Sequence, residues 1–156
     1  MFSTMIGRYP KVKILWSAND NMALGLIDAA QNSDHKLGKD IFVGGVDWLS
    51  ESIDAIERGD MACSIGGHFV EGMWALILMY DYLNGFDFAK QNQNNPVTLH
   101  TKMAAITSSN VKDFGDLAQK LSFNNLMKMD FSQYSQTHNP KMKSYDFSIT
   151  RLLEKL

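Results

Sequence analysis

Asn19, Asp47 and His68 each stand just past a short apolar run, with Trp48 directly beside Asp47. An amide that donates and accepts, a carboxylate that accepts and a neighbouring aromatic face are what a site needs to hold a polyhydroxylated or polar solute. The same Asn and Asp residues are equally suited to capping turns with their side chains, and position alone leaves both readings open. His68 is open in the same way, between a surface residue and a site contact. No second carboxylate is placed obviously opposite Asp47, so general acid–base catalysis lacks a partner.

Other chemistry is thinly represented. No G-x-S-x-G, Walker A, G-x-G-x-x-G or H-E-x-x-H motif occurs. His35, His68, His100 and His138 show no metal-ligand spacing, so neither a metal nor a cofactor is expected. The single cysteine, Cys63, cannot form an internal disulfide and reads as a small buried hydrophobe within a strand. The pairs Gly44-Gly45 and Gly66-Gly67 admit close backbone approach to a phosphate, or simply tight packing or a turn.

The elements that must carry these residues follow from periodicity. Lys13–Ala18 reads as a strand buried on both faces, Ile41–Val46 as a second and Met61–Ile65 as a third. Between them Asn21–Gln31 keeps Met22, Ala23, Leu26, Ile27 and Ala30 on one helical face, with Asp20 as N-cap. Ser50 is placed to cap a helix over Glu51–Arg58, which Gly59 ends. This strand–helix alternation predicts a parallel sheet whose carboxyl edge is a ligand crevice. A long helix, Phe69–Leu83, should bury Phe69, Met73, Leu76, Ile77, Tyr80 and Leu83.

The rhythm then changes. Gln91–Asn95 is a polar linker, Val97–Lys102 alternates like a half-exposed strand, and Asn110 with Asp113 resembles a capping box for Val111–Leu121. Phe131–Gln136 reads as a helical turn and Phe147–Lys155 as a short terminal element.

With 156 residues, 45% hydrophobic and 21% charged, the chain is long enough for one globular domain. Its formal net charge of −2 and the lack of an aromatic-laced basic run argue against nucleic acid as a partner. Met1–Pro10 has no basic segment followed by an apolar one, so no secretory signal is read there.

Three stretches resemble one known family: Ser17-Ala18-Asn19-Asp20-Asn21-Met22-Ala23-Leu24-Gly25, Gly44-Gly45-Val46-Asp47, and Ile53-Asp54-Ala55-Ile56-Glu57-Arg58-Gly59-Asp60. Their order and spacing resemble the second half of type 1 periplasmic binding proteins, the ribose-binding-protein-like group that also supplies the ligand domain of lactose-repressor-type regulators. The resemblance is specific over Tyr9–Ile106; Met129-Asp130-Phe131, Asn139-Pro140 and Tyr145–Ser148 look like the extension of a solute-binding subgroup.

The resemblance implies an incomplete α/β fold, a partial Rossmann-like parallel sheet with flanking helices. Residues 1–67 would form part of the second ligand-binding lobe. Residues 68–95 would be a helix and linker returning to the first lobe, and 96–156 a crossing strand with a helical extension. It implies that Asn19 and Asp47 hydrogen-bond a sugar-like ligand, that Trp48 stacks on its ring, and that His68 replaces a contact often made by glutamine. The implied function is non-enzymatic recognition of a sugar in the periplasm on behalf of an ABC permease or membrane sensor. Binding by this chain would be weak because the opposing lobe is missing. The unpaired strand edges and uncovered helix face this leaves should be closed by a second copy, as a homodimer. The rival readings are the effector domain of a transcriptional regulator and, further off, an enzyme on a nucleotide-binding sheet.

Overall fold

The computed structural model describes residues 2–90, 101–114, 125, 128–142 and 144–153. The chain divides into two compact units, Met1–Gly66 with Ala104–Gln119, and Gly67–Met103 with Lys120–Leu156.

The first unit is built on a four-stranded sheet in the order β1 (Ile14–Trp16), β2 (Phe42–Val46), β3 (Cys63–Gly66) and β4 (Ala104–Thr107). β1, β2 and β3 are mutually parallel, as expected, but β4 pairs antiparallel to β3, so the sheet is mixed rather than parallel. A short N-terminal helix, α1 (Phe2–Arg8), packs near α2 (Asp20–Gln31) and buries Phe2 edge-on to His35. α2 packs on β2 and buries Ala23, Ile27 and Ala30, and Leu15 and Val43 of the sheet are likewise buried. α3 (Ser50–Arg58) adds Ile53, Ala55 and Ile56 to the same core.

The helix ends show where local chemistry wins. α3 stops at Gly59, whose φ of 82° lets its N–H reach back to Ala55 and Ile56 carbonyls. At its start the expected Ser50 cap is absent: Leu49 is the N-cap residue, and Ser50 Oγ donates to Glu51 instead. Asp20 does not cap α2 either; Asn19 does, and Asp20 is the first helical residue.

β1 also departs from expectation. Leu15 is buried, but Ile14 and Trp16 are 71% and 53% exposed on the opposite face, where Phe42 is also open to solvent. Parallel strands are ordinarily covered on both faces, and the sequence is apolar on both faces accordingly.

The second unit is held by aromatic packing. After a 3-10 turn (His68–Val70), α4 (Glu71–Leu83) presents Trp74, which stacks on Phe147 at 5.0 Å and meets Tyr134 edge-on at 5.2 Å. Phe131–Tyr134 forms a 3-10 turn, as expected in type, and α5 (Ile149–Leu153) supplies buried Ile149, Leu152 and Leu153. The predicted buried stripe of α4 is corrected. Trp74, Ile77 and Asp81 face inward, whereas Phe69, Leu76, Tyr80 and Leu83 are exposed, Leu83 at 79%. The charged Asp81 takes the inward position because five donors meet it there: Ser135 Oγ, the Gln136 amide, the Thr137 amide and hydroxyl, and Tyr145 Oη.

The linker 91–95 and residues 97–100 of the predicted strand lie outside the described residues; Lys102 makes a single bridge to Ser148. The predicted helix over 111–121 is seen as helical turn at 111–114, and its remainder is outside the described residues. Asn110 turns its side chain backward onto the Thr107 amide and Ala105 carbonyl rather than forming a capping box. Among the described residues no helix is long and apolar enough to cross a membrane.

Candidate functional site

Asn19 follows β1 and Asp47 follows β2, two adjacent parallel strands, so both lie past the carboxyl ends of the sheet in the first unit. Asn19 is extended (φ −150°, ψ 167°), and its Oδ1 accepts from the Met22 amide at 2.9 Å. The capping reading is therefore correct for the oxygen. It does not exclude the other reading, because among the described residues Nδ2 has no hydrogen-bond acceptor and stays a donor on a half-buried side chain.

Among the described residues, Asp47 and Trp48 carry the most unusual backbone. Their φ angles are 128° and 64°, the only positive values among described non-glycine residues. A bulky L-residue in this region is strained by about 1–3 kcal/mol and persists only where its surroundings hold it. Those surroundings are explicit. The Asp47 amide donates to the Ile65 carbonyl at 2.9 Å, and the Trp48 amide to Ser64 Oγ at 3.2 Å. The indole Nε1–H donates to the Ser64 carbonyl at 3.2 Å, and the ring meets Phe114 edge-on at 5.4 Å. A Cβ on Gly66 would lie 2.5 Å from the indole, so this glycine is what lets the ring approach the strand.

Trp48 is thus buried, only 9% exposed, with its N–H engaged inside the unit. An exposed stacking platform it is not; the ring anchors the turn that carries Asp47. His68 belongs to the second unit, where it opens the 3-10 turn and lies edge-on to Phe69 at 6.2 Å. The structure brings Asn19, Asp47 and Trp48 together in one unit and assigns His68 to the other.

Beneath the turn lies a pair of residues that sequence reasoning did not connect with it. Asp20 is fully buried, and its Oδ2 accepts from the Leu49 amide at 3.0 Å. Ser64, also fully buried, directs its hydroxyl at the same carboxylate at 2.8 to 2.9 Å. Gly45, the β2 partner of Ser64 in register, has no room for a side chain: a Cβ there would collide with Asp20 Oδ1. The available signal was a hydroxyl in the middle of an apolar strand, since a buried polar group requires a partner. Burial pushes the neighbouring Cys63 thiol up from its ordinary range, and the Asp20 charge adds to this. The glycine pairs accordingly serve close packing, the Gly44 position being covered by the Trp16 ring.

No family model matches the chain. A curated relative, the D-allose-binding periplasmic protein of Escherichia coli (strain K12), is 32% identical over 80 residues, 51% of this chain and 25% of that protein. Among solved structures, a periplasmic sugar-binding protein from Pseudomonas fluorescens superposes with a TM-score of 0.75 at 30% identity, covering 97% of this chain and 44% of that one. The arabinose ABC transporter binding component of Shewanella sp. ANA-3, at 21% identity and a TM-score of 0.58, shares the fold over 83% of this chain and 42% of its own. The chain spans about a quarter of the curated relative and under half of the solved ones. Two of these relatives are described as sugar- or D-allose-binding periplasmic proteins and the third as the binding component of an arabinose ABC transporter. In sequence and in fold, the chain is similar to part of the type 1, ribose-binding-protein-like periplasmic binding proteins.

Proposed function

We propose that this chain contributes one wall of a sugar-recognition site, in a periplasmic receptor that serves an ABC transporter or a membrane sensor. The observation that carries this reading is the pair of positive-φ residues, Asp47 and Trp48, braced at the carboxyl edge of the sheet beside the free amide donor of Asn19. Strained backbone held by dedicated contacts is characteristic of recognition sites. Asp47 supplies an acceptor and Asn19 a donor for sugar hydroxyls, with Trp48 as the buried anchor under them. His68 lies in the second unit and is left out of this wall. In this reading residues 1–67 are part of the second lobe, 68–95 the helix and linker that return to the first lobe, and 96–156 a crossing strand with a helical extension.

A titration with D-allose, D-ribose and L-arabinose, followed by amide chemical shifts, tests this. One wall alone should bind more weakly than micromolar, with shifts confined to Asn19, Asp47 and their neighbours. Asn19→Ala or Asp47→Ala should weaken that binding by about ten- to a hundredfold, the loss expected for one hydrogen bond involving a charged or buried polar group. Micromolar binding by this chain would overturn the one-wall reading, and shifts elsewhere or none at all would overturn the site.

We propose in addition that the apolar surfaces at Ile14, Trp16 and Phe42, and at Leu76, Tyr80 and Leu83, are covered by self-association, in the simplest case as a homodimer. Sedimentation should show mass rising above the monomer with concentration, and Leu83→Lys combined with Trp16→Lys should reduce it. A monomeric mass with a cooperative melt would refute the association.

A further inference from the structure

We infer that Asp20 and Ser64 are the positioning residues of this wall, setting the backbone of the Asp47–Trp48 turn without touching a ligand themselves. As a role in recognition this rests on the reading of Asp47 as a ligand contact. The geometry of the relay stands independently of it.

The relay has a direction. The Ser64 hydroxyl has one proton, and it points at the Asp20 carboxylate. With that proton committed, an oxygen lone pair is left to accept from the Trp48 amide. Asp20 meanwhile accepts directly from the Leu49 amide, the next residue along. Two consecutive amides of the turn therefore terminate, one directly and one through Ser64, on a single buried carboxylate carried by the first turn of α2. The residue before it, Asn19, is the other proposed contact. One helix N-terminus thus holds both: Asn19 through its own backbone, and Asp47 through the relay. Gly45 completes the arrangement, because any larger residue would drive the carboxylate out of its seat over β2.

The chemistry explains why these types are needed. Trp48 at φ 64° and Asp47 at φ 128° would relax toward ordinary angles unless their neighbouring amides were claimed. A carboxylate accepts only, so it cannot compete with the amide donors it faces, whereas a hydroxyl both donates and accepts and can therefore sit between them.

The test is nuclear magnetic resonance on the full chain, reading the Trp48 intraresidue HN–Hα Overhauser effect, which is strong at positive φ, together with the shift of Asp47 on titration with D-allose. Asp20→Ala and Ser64→Ala should each remove the strong effect at Trp48 and reduce the D-allose response at Asp47 by about tenfold, as expected for a lost hydrogen-bond partner. Asp20→Asn, which keeps an acceptor for Leu49, should restore most of both. Ile56→Val, a core change in the same unit, should lower the unfolding midpoint and leave both readouts as they were. If Asp20→Ala does not fold, Ser64→Ala, which deletes one oxygen, decides. Retention of the Trp48 effect in the alanine variants, or its equal loss in Ile56→Val, would overturn the relay. Absence of any D-allose response in the parent chain would remove the ligand reading alone, since the Overhauser readout still decides the roles of Asp20 and Ser64.

Discussion

Replacing Asp81 by alanine is expected to destabilise the second unit by about 3 kcal/mol or more, the cost of stranding several buried donors at once. Asp81 is fully buried, and its two oxygens are divided between backbone amides: Gln136 donates to Oδ2 at 2.7 Å and Thr137 to Oδ1 at 3.0 Å. Asparagine does not rescue this arrangement. Whichever oxygen becomes the NH2 group then faces a backbone N–H, donor against donor. Hydrogen exchange of the Gln136 and Thr137 amides is the appropriate measure, because a chain of two units need not unfold in one step. Both variants should accelerate it, alanine most.

The same carboxyl group makes this unit acid-sensitive in a defined window. Burial by itself would raise the Asp81 pKa, but the hydrogen bonds from Ser135, Thr137 and Gln136 outweigh it and hold the group lowered to about 2, from an ordinary 3.8. A folded-state pKa below the unfolded one contributes stability that is present above the unfolded value and lost as pH falls through the folded one. The difference corresponds to about 2 kcal/mol, disappearing between about pH 4 and pH 2. Tyr145, whose hydroxyl donates to the same carboxylate, is pushed up chiefly by burial and then by Asp81, so it remains a donor across the working range. Protection of Gln136 and Thr137 that is equally strong at pH 2 and pH 6 would contradict this account.

Why Asp81 escaped sequence reasoning is instructive. In α4 it is a charge among apolar residues, and a charge on a helix ordinarily marks the solvent face, whereas the apolar spacing puts the predicted buried stripe on residues that include Leu76, Tyr80 and Leu83. The donors that reverse the assignment lie 54 to 64 residues further along, beyond any local window. Local signals fared better where the chemistry is local. The α2 and α3 periodicities, the Gly59 terminator and the succession of β1, β2 and β3 all follow from residues within one turn or one strand. Adjacent Asn19 and Asp20 are both good N-caps, and only the buried Ser64 and the Leu49 amide, drawn in from elsewhere in the unit, decide which turns outward. The exposed face of β1 was invisible for the converse reason. Its residues are written for cover on both sides, and composition carries no record of where that cover comes from. The placement of Asn19 and Asp47 past the ends of β1 and β2 was legible in the sequence, but the burial of Trp48 was not, since it depends on Gly66 and Phe114.

Gly66→Ala should therefore be among the most damaging of small substitutions in the first unit. The new methyl group would sit 2.5 Å from the Trp48 Cγ and Cδ2 atoms, well inside any real contact. The indole cannot simply swing away, since Nε1 is tied to the Ser64 carbonyl and the ring is backed by Phe114. Gly66 is itself paired with Ala104 across β3 and β4, so the strand has little freedom to recede. Overpacking of this kind costs about 1–3 kcal/mol. Here it should also displace the turn, lowering the sugar response proposed for Asp47 together with stability, and shifting Trp48 emission toward that of an exposed indole. Gly25→Ala provides the internal comparison. Gly25 lies exposed in the middle of α2, and a methyl group added there would meet nothing within 4 Å, so the same change should raise stability by about 0.5–1 kcal/mol through helix propensity. Identical chemistry with opposite sign would establish that Gly66 is retained for the approach of Trp48 rather than for backbone freedom. Equal, small effects at the two positions would mean that the Trp48 ring is not held where the turn requires it.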